Sequence, residues 1–380
     1  MEKRYISKLG VELSPLGFGV MRLPMSGGSF PEKVYALLDR AMERGINYYD
    51  TAYPYLGGKS EVLIREALVE RYPRERFYIA DKLPVWLCGD REDMERIFNT
   101  QLERLGVKWI DFYLLHGLHK TRWEDIYQKG VLDFLEEKKR EGRIRSIGFS
   151  FHDTAPVLEK IVEAFPWEFA QLQINYYDWE AIHVKECYDC LEEREIPCMV
   201  MEPVGGGRLS RLPEEAERIL REVHPDRSIA SWAIRFVASL SNVAVTLSGM
   251  SNESQLEDNI LQFQNMGPLS EEEKRAIDKV NHIIDSFHAV PCTGCGYCVE
   301  ECPRGVDIPQ IFKRYNDYRM FENMARFDID YFAFVPEGKR GDVCIRCNKC
   351  SKKCPQKIAI PDEIGKIHEF ADKLSKGSIR

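Results

Sequence analysis

The sequence predicts an α/β chain in two parts, a closed (β/α)8 barrel followed by a small α-helical domain built around cysteines. Three observations predict it. Short apolar runs alternate with amphipathic segments over residues 16–265, the alternation gives eight strand–helix units, and a four-cysteine pattern occurs twice near the end of the chain. The length of 380 residues suits one large and one small domain. We expect residues 1–285 to form the barrel and residues 286–380 the second domain.

Strands are expected at 16–19, 46–50, 77–80, 110–115, 144–149, 169–174, 197–200 and 243–247. Between them run helical faces. Val34, Leu37, Leu38, Ala41 and Met42 fall on one side of a segment that stops at Gly45. Met94, Ile97, Phe98, Leu102 and Leu105 do the same before Gly106, and a third segment runs from Trp123 to Gly142. Strands alternating with helices require a parallel sheet, and eight units in roughly 250 residues require closure. A doubly wound open sheet is the alternative, but no G-x-G-x-x-G follows the first strand.

Apolar residues make up 44% and charged residues 30%, enough to bury a sizeable core. A net charge of −8 argues against nucleic acid as the partner. The opening Met1-Glu2-Lys3-Arg4-Tyr5-Ile6 lacks the apolar run of a secretory signal, and no stretch reaches membrane-spanning length. The expectation is a cytoplasmic protein with no membrane and no nucleic-acid partner.

Eight of the twelve cysteines form two copies of C-x2-C-x2-C-x3-C-P. The first copy is Cys292, Cys295, Cys298, Cys302 and Pro303; the second is Cys344, Cys347, Cys350, Cys354 and Pro355. The match continues for several residues, so this is an internal duplication. Two intervening residues let successive thiolates reach neighbouring irons of a cube, and Gly294 and Gly296 relieve the tight loop. Zinc would leave the third cysteine of each triplet idle, and disulfides do not suit a reducing compartment. The spacing therefore predicts two [4Fe–4S] clusters. In two-cluster ferredoxins the fourth cysteine serves the other cluster. By that pattern Cys292, Cys295, Cys298 and Cys354 hold one, and Cys344, Cys347, Cys350 and Cys302 hold the other. The insert 311–340 reads as helix, so the module resembles an α-helical ferredoxin. Its second loop is basic, with Arg346, Lys349, Lys352, Lys353 and Lys357, which suits an acidic carrier such as ferredoxin or flavodoxin. The nearer reading of those charges is a solvated face.

A barrel places active residues at the C-terminal ends of its strands. Asp50 ends the second strand with Tyr55 in the following loop, Lys82 follows the third and His116 follows the fourth. Asp50-Thr51-Ala52-Tyr53-Pro54-Tyr55 with Lys82 and His116 resembles the catalytic tetrad of the aldo-keto reductases. Leu16-Gly17-Phe18-Gly19 and Gly148-Phe149-Ser150 are similar to that family's first and fifth strand ends, and with the cysteine motifs the chain looks like the ferredoxin-fused branch. The resemblance implies a TIM barrel that reduces a carbonyl or oxidises an alcohol with NAD(P)(H). Tyr55 would give the proton, and Lys82 would lower its pKa from the free value near 10. Asp50 would hold Lys82 charged, and a neutral His116 would orient the carbonyl.

By the same resemblance Ser150 and Gln171 contact the nicotinamide carboxamide, while Ser248, Gln255 and Asn259 belong to the adenosine-phosphate loop. Here the sequence departs from the family. Gly249 and Gln255 stand where NADPH-preferring members carry cations, and Met201-Glu202-Pro203 replaces the aromatic that stacks on nicotinamide. Arg22 and Arg208 are the cations left to compensate. NAD and NADP both stay open. Nicotinamide moves two electrons together and each cluster takes one, so a flavin is the further alternative. The competing function is a ferredoxin-linked reductase whose clusters feed a flavin or the substrate directly. A third is an inert barrel that regulates or binds. Cys187 and Cys190 lie on a helical pattern and read as packed thiols, as do Cys88 and Cys198.

Overall fold

A computed structural model describes residues 1–181, 184–264, 267–287, 289–292, 294, 296–321, 324–354 and 356–377. They divide into two compact units. One holds Met1–Ser210 and Arg227–Leu269, the other Arg211–Asp226 and Ser270–Arg380.

The first unit is a closed barrel of eight parallel strands, β3 (Leu16–Gly19), β4 (Tyr48–Asp50), β5 (Tyr78–Leu83), β6 (Ile110–Leu118), β7 (Ile144–Phe151), β8 (Phe169–Gln173), β9 (Cys198–Met201) and β10 (Val243–Ser248). They pair in sequence order, and β10 closes on β3. Strands β1 (Arg4–Ile6) and β2 (Val11–Leu13) form a hairpin that the sequence reading did not anticipate. Its Ile6, Val11 and Leu13 pack with Tyr48, Phe112 and Phe169 in the barrel interior. Each element is too short to show a pattern of its own.

The crossovers follow the apolar spacing. Helix α1 (Glu32–Glu43) buries Val34, Leu37, Leu38, Ala41 and Met42. Helix α2 (Lys59–Ile64) precedes β5, and α3 (Arg91–Leu105) is capped by Asp90 and closed by left-handed Gly106. The segment from Trp123 to Gly142 was expected to be one helix but is two, α4 (Lys120–Gln128) and α5 (Val131–Arg140). Gly130, at φ +74°, breaks it.

The second unit is helical. Helix Glu271–Ser286 starts with a reciprocal cap between Ser270 and Glu273. Helices Ile308–Phe321, Met324–Phe334 and Ile360–Ser375 enclose a core containing Val306, Ile311, Phe312, Phe327, Tyr331 and Ile364. Cys298 and Cys350 are part of that core. No helix among the described residues is long and apolar enough to cross a membrane.

Candidate active site and cluster-binding cavities

The barrel interior sets the register of the site. Tyr48, Ala80, Phe112 and Leu114 belong to the buried cluster inside the barrel. Side chains alternate along a strand, so the next inward positions toward the C-terminal mouth are Asp50, Lys82 and His116. The same count on β7 and β8 leads from Gly148 and Phe169 to Ser150 and Gln171. Gly148 is required there, because a Cβ would meet the Phe169 ring at 2.6 Å.

Lys82 is buried and donates from Nζ to Asp50 Oδ1 at 2.6 Å and to the Thr51 carbonyl at 2.7 Å. Its Nζ also lies 5.0 Å from the Tyr55 ring centroid. The His116 ring meets Tyr55 edge-on with centroids 5.7 Å apart, so all four residues converge on one end of the barrel. His116 Nδ1 is buried and has no hydrogen-bond partner among the described residues.

The electrostatics differ from the sequence expectation at Tyr55. Burial raises its pKa, and the Lys82 ammonium pulls against that rise without overcoming it. Lys82 would be lowered by burial, yet Asp50 and Tyr55 outweigh this and leave it raised. His116 is held well below its usual range by burial, then by Lys82, His152 and Arg122. At neutral pH the site therefore contains a phenol, an ammonium paired with Asp50 and a neutral imidazole.

Gln171 lies beside this group but donates to Asp50 Oδ2 at 3.0 Å, and Ser150 Oγ accepts from the Gly117 amide at 2.7 Å. Asn259 donates to Ser248 Oγ at 2.9 Å, and Gln255 Oε1 accepts from the Ser251 amide at 2.8 Å. Arg22 joins two mouth loops through the Gly206 carbonyl at 3.0 Å and Glu202 at 3.3 Å. Arg208 donates to the Gly205 carbonyl. The helix Glu253–Leu261, capped by Asn252, follows β10 directly, which is a common place for phosphate in this barrel.

Sequence reasoning missed three groups nearby. Trp86 faces His116 at 5.0 Å, and the Arg122 guanidinium stacks on Trp86 at 4.5 Å. Behind β5, buried Glu61 and Asp81 face each other, and Arg104 pairs with Glu61 at 2.8 Å. Trp86 and Arg122 follow the strands of Lys82 and His116, so the strand-end rule itself could have found them.

In the second unit the cysteines line two cavities. Cys292, Cys298 and Cys354 border one; Cys302, Cys344, Cys347 and Cys350 border the other. Ile308 borders both. Cys295 and Pro355 lie outside the described residues. Among the described residues no three His, Cys, Asp or Glu side chains converge as ligands of a single metal ion. Thiolates spread around a cavity suit a cube, where each sulfur meets its own iron. Cys187, Cys190 and Cys198 are buried, and burial raises all three thiols.

The family model described as the aldo/keto reductase family matches residues 15–282, and one described as a 4Fe-4S dicluster domain matches residues 291–359. The uncharacterised oxidoreductase YqkF of Bacillus subtilis is 29% identical over 313 residues, covering 73% of this chain and 95% of its own. The NADH-specific methylglyoxal reductase of Escherichia coli is 23% identical over 314 residues, covering 68% of this chain and 93% of its own. The holo form of aldo-keto reductase AKR11C1 from Bacillus halodurans matches with a TM-score of 0.62 at 28% identity. That match covers 74% of this chain and 96% of the other. With the barrel, the convergent strand ends and these matches together, the chain belongs to the aldo/keto reductase family, as an oxidoreductase barrel fused to a 4Fe–4S dicluster domain.

Proposed function

We propose that the barrel, within residues 1–285, reduces a carbonyl, or oxidises the alcohol in reverse, through Tyr55, Lys82, Asp50 and His116. The observation that carries this is the buried Lys82–Asp50 pair lying under the Tyr55 ring. A bound nicotinamide supplies hydride to the carbonyl carbon. Tyr55 gives its proton to the oxygen, and the resulting phenolate faces an ammonium rather than bare protein. Asp50 keeps Lys82 protonated in a place where burial favours the neutral amine. Neutral His116 hydrogen-bonds the carbonyl oxygen and orients it. Tyr55→Phe should lower carbonyl turnover by about 10²–10⁴-fold with unfolding unchanged. Retained turnover would leave the barrel a binding or regulatory body.

Ser150 and Gln171 are the carboxamide contacts in this reading, with Ser248, Gln255, Asn259 and Arg22 toward the phosphates. We infer NADH rather than NADPH. No cation stands at Gly249 or Gln255, and nearby Arg40 is already matched by Glu253 and Glu257. The name of the Escherichia coli relative points the same way. Steady-state kinetics should favour NADH by about tenfold or more, and Gln255→Arg should narrow the gap.

The clusters, within residues 286–380, take Cys292, Cys295, Cys298 and Cys354 for one and Cys302, Cys344, Cys347 and Cys350 for the other. The two cavities support this crossed set. Unpaired cysteines and iron–sulfur clusters suit the reducing cytoplasm. A second reading, in which the clusters feed a flavin or the substrate from ferredoxin or flavodoxin, has its own support. Ile345 and Cys347 are exposed within the basic second loop, and Glu202 occupies the end of β9 where the family's aromatic would stack. Anaerobic purification followed by an absorbance scan tests the flavin form of this second reading, since a bound flavin would displace the nicotinamide reading.

A further inference from the structure

Helix α4 begins directly beyond β6, so its first turn stands at the barrel mouth beside His116. Arg122 lies in that turn. Its Nη1 donates to the Gly117 carbonyl at 2.9 Å, and its guanidinium carbon lies 4.5 Å from the Trp86 ring centroid. Trp86 in turn faces His116, which faces Tyr55. Tyr55, His116, Trp86 and Arg122 thus form one continuous row along the mouth.

The charge on this row is not balanced locally. Among the described residues Arg122 makes no ion pair with an Asp or Glu, whereas Arg74 and Arg104 each close on a buried carboxylate. Of the two acids on α4, Asp125 pairs with Lys129, and Glu124 makes no ion pair with Arg122 among the described residues; Asp153, in the loop after β7, accepts from the amides of Lys120 and Thr154. A half-buried guanidinium is costly without an anion, and one carbonyl satisfies only part of its five-donor fork. The surroundings are also partly apolar. Trp86, Leu87 and Met21 are 42%, 45% and 46% exposed at the same end of the barrel. A cation stacked on an indole, at a mouth with other exposed apolar side chains, suits an organic anion with a hydrocarbon body better than an inorganic ion.

We propose that Arg122, stacked on Trp86, anchors an anionic group of the substrate, so that the barrel selects carbonyl compounds that also carry a carboxylate or phosphate ester. This rests on the carbonyl-reductase reading above. The anion takes the free edge of the fork, which matches a two-oxygen acceptor, and the carbonyl lies further along the row toward His116 and Tyr55.

The test uses the full chain with its clusters intact. Aldehydes of matched size are supplied as carboxylate, phosphate ester and neutral methyl ester, and kcat/KM is measured for each. In parallel, calorimetry measures binding of benzoate, phenyl phosphate and the neutral benzamide. The wild type should prefer an anionic aldehyde by about ten- to a hundredfold, mainly through KM. The preferred anion identifies the group. Arg122→Gln should bring the preference toward unity, and Arg122→Lys should keep part of it. Carbonyl reduction with no anion preference, and anion binding unaffected by Arg122→Gln, would overturn the anchor and leave the reductase standing. Arg122-dependent anion binding without reduction of any aldehyde would keep the anchor and remove the reductase reading.

Discussion

Asp81 is adjacent to Lys82 in sequence but points out of the barrel toward Glu61 on α2. Its Oδ1 accepts from the Lys82 amide at 2.8 Å, and Arg104 holds the far oxygen of Glu61. The remaining oxygens, Asp81 Oδ2 and Glu61 Oε1, are buried without a well-aligned hydrogen-bond partner, although the Gln101 side chain beside Glu61 helps to hold that carboxyl down. Two carboxylates facing each other in that way need a proton between them. Burial raises both acids, Asp81 well above its usual range with the Glu61 charge adding to it. A raised folded pKa adds stability that is complete below the unfolded value and is lost as pH rises through the folded one. The wild-type barrel should therefore lose about 1.4 kcal/mol per pH unit above pH 4, up to the raised pKa. Asp81→Asn carries its own donor at every pH. Its stability, followed by near-UV circular dichroism from pH 5 to 8, should fall less steeply; parallel curves for both proteins would refute the shared proton. Asp50, Tyr55, Lys82 and His116 were legible in the sequence because they sit at strand ends in fixed order. Glu61 and Asp81 were not, because nothing in a linear sequence tells which helix meets the outer face of a strand.

At the scale of elements, the duplicated cysteine loops show what sequence can and cannot reveal. Gly294, Gly296 and Gly305 have φ of +71°, +80° and +63° in the first loop. The corresponding positions of the second loop are Arg346, Asn348 and Lys357, at +53°, +59° and +55°. The backbone is repeated although the glycines are not. A residue with a Cβ resists the left-handed region, Asn least. Lys357→Gly should therefore stabilise the module by up to about 1 kcal/mol, and Gly305→Lys should weaken it by a similar amount. Chemical denaturation with clusters intact measures both, and a loss of stability in Lys357→Gly would show that its side chain matters more than its backbone. The strain in the second loop escaped the sequence reading because arginine and lysine give no sign of positive φ. The strands and amphipathic helices were legible because burial imposes a period of two or 3.6 on the residues themselves. The break at Gly130 fell inside an unbroken apolar pattern, and the hairpin Arg4–Leu13 consists of two three-residue strands that no period can mark.

At the scale of the whole molecule, the two units have separate apolar cores, one around the barrel strands and one around the cysteine loops. Separate cores allow the loss of a cluster without collapse of the barrel. The crossed arrangement adds a sharper expectation. If each cluster draws its fourth thiolate from the opposite copy, Cys302 and Cys347 serve the same cluster although they belong to different motifs. The double variant Cys302→Ser/Cys347→Ser should then lose one cluster and keep the other, retaining about four of eight irons. Under local ligation the same two changes strike one ligand in each cluster, and both should weaken. Iron and sulfide analysis after anaerobic purification separates the outcomes, with electron paramagnetic resonance of the reduced protein to count the spins. In the nicotinamide reading this variant still turns over carbonyl substrate with NADH, since the hydride route runs through Tyr55 and Lys82 alone. Loss of that turnover, with the barrel still folded by circular dichroism, would mean that electrons reach the substrate through the clusters.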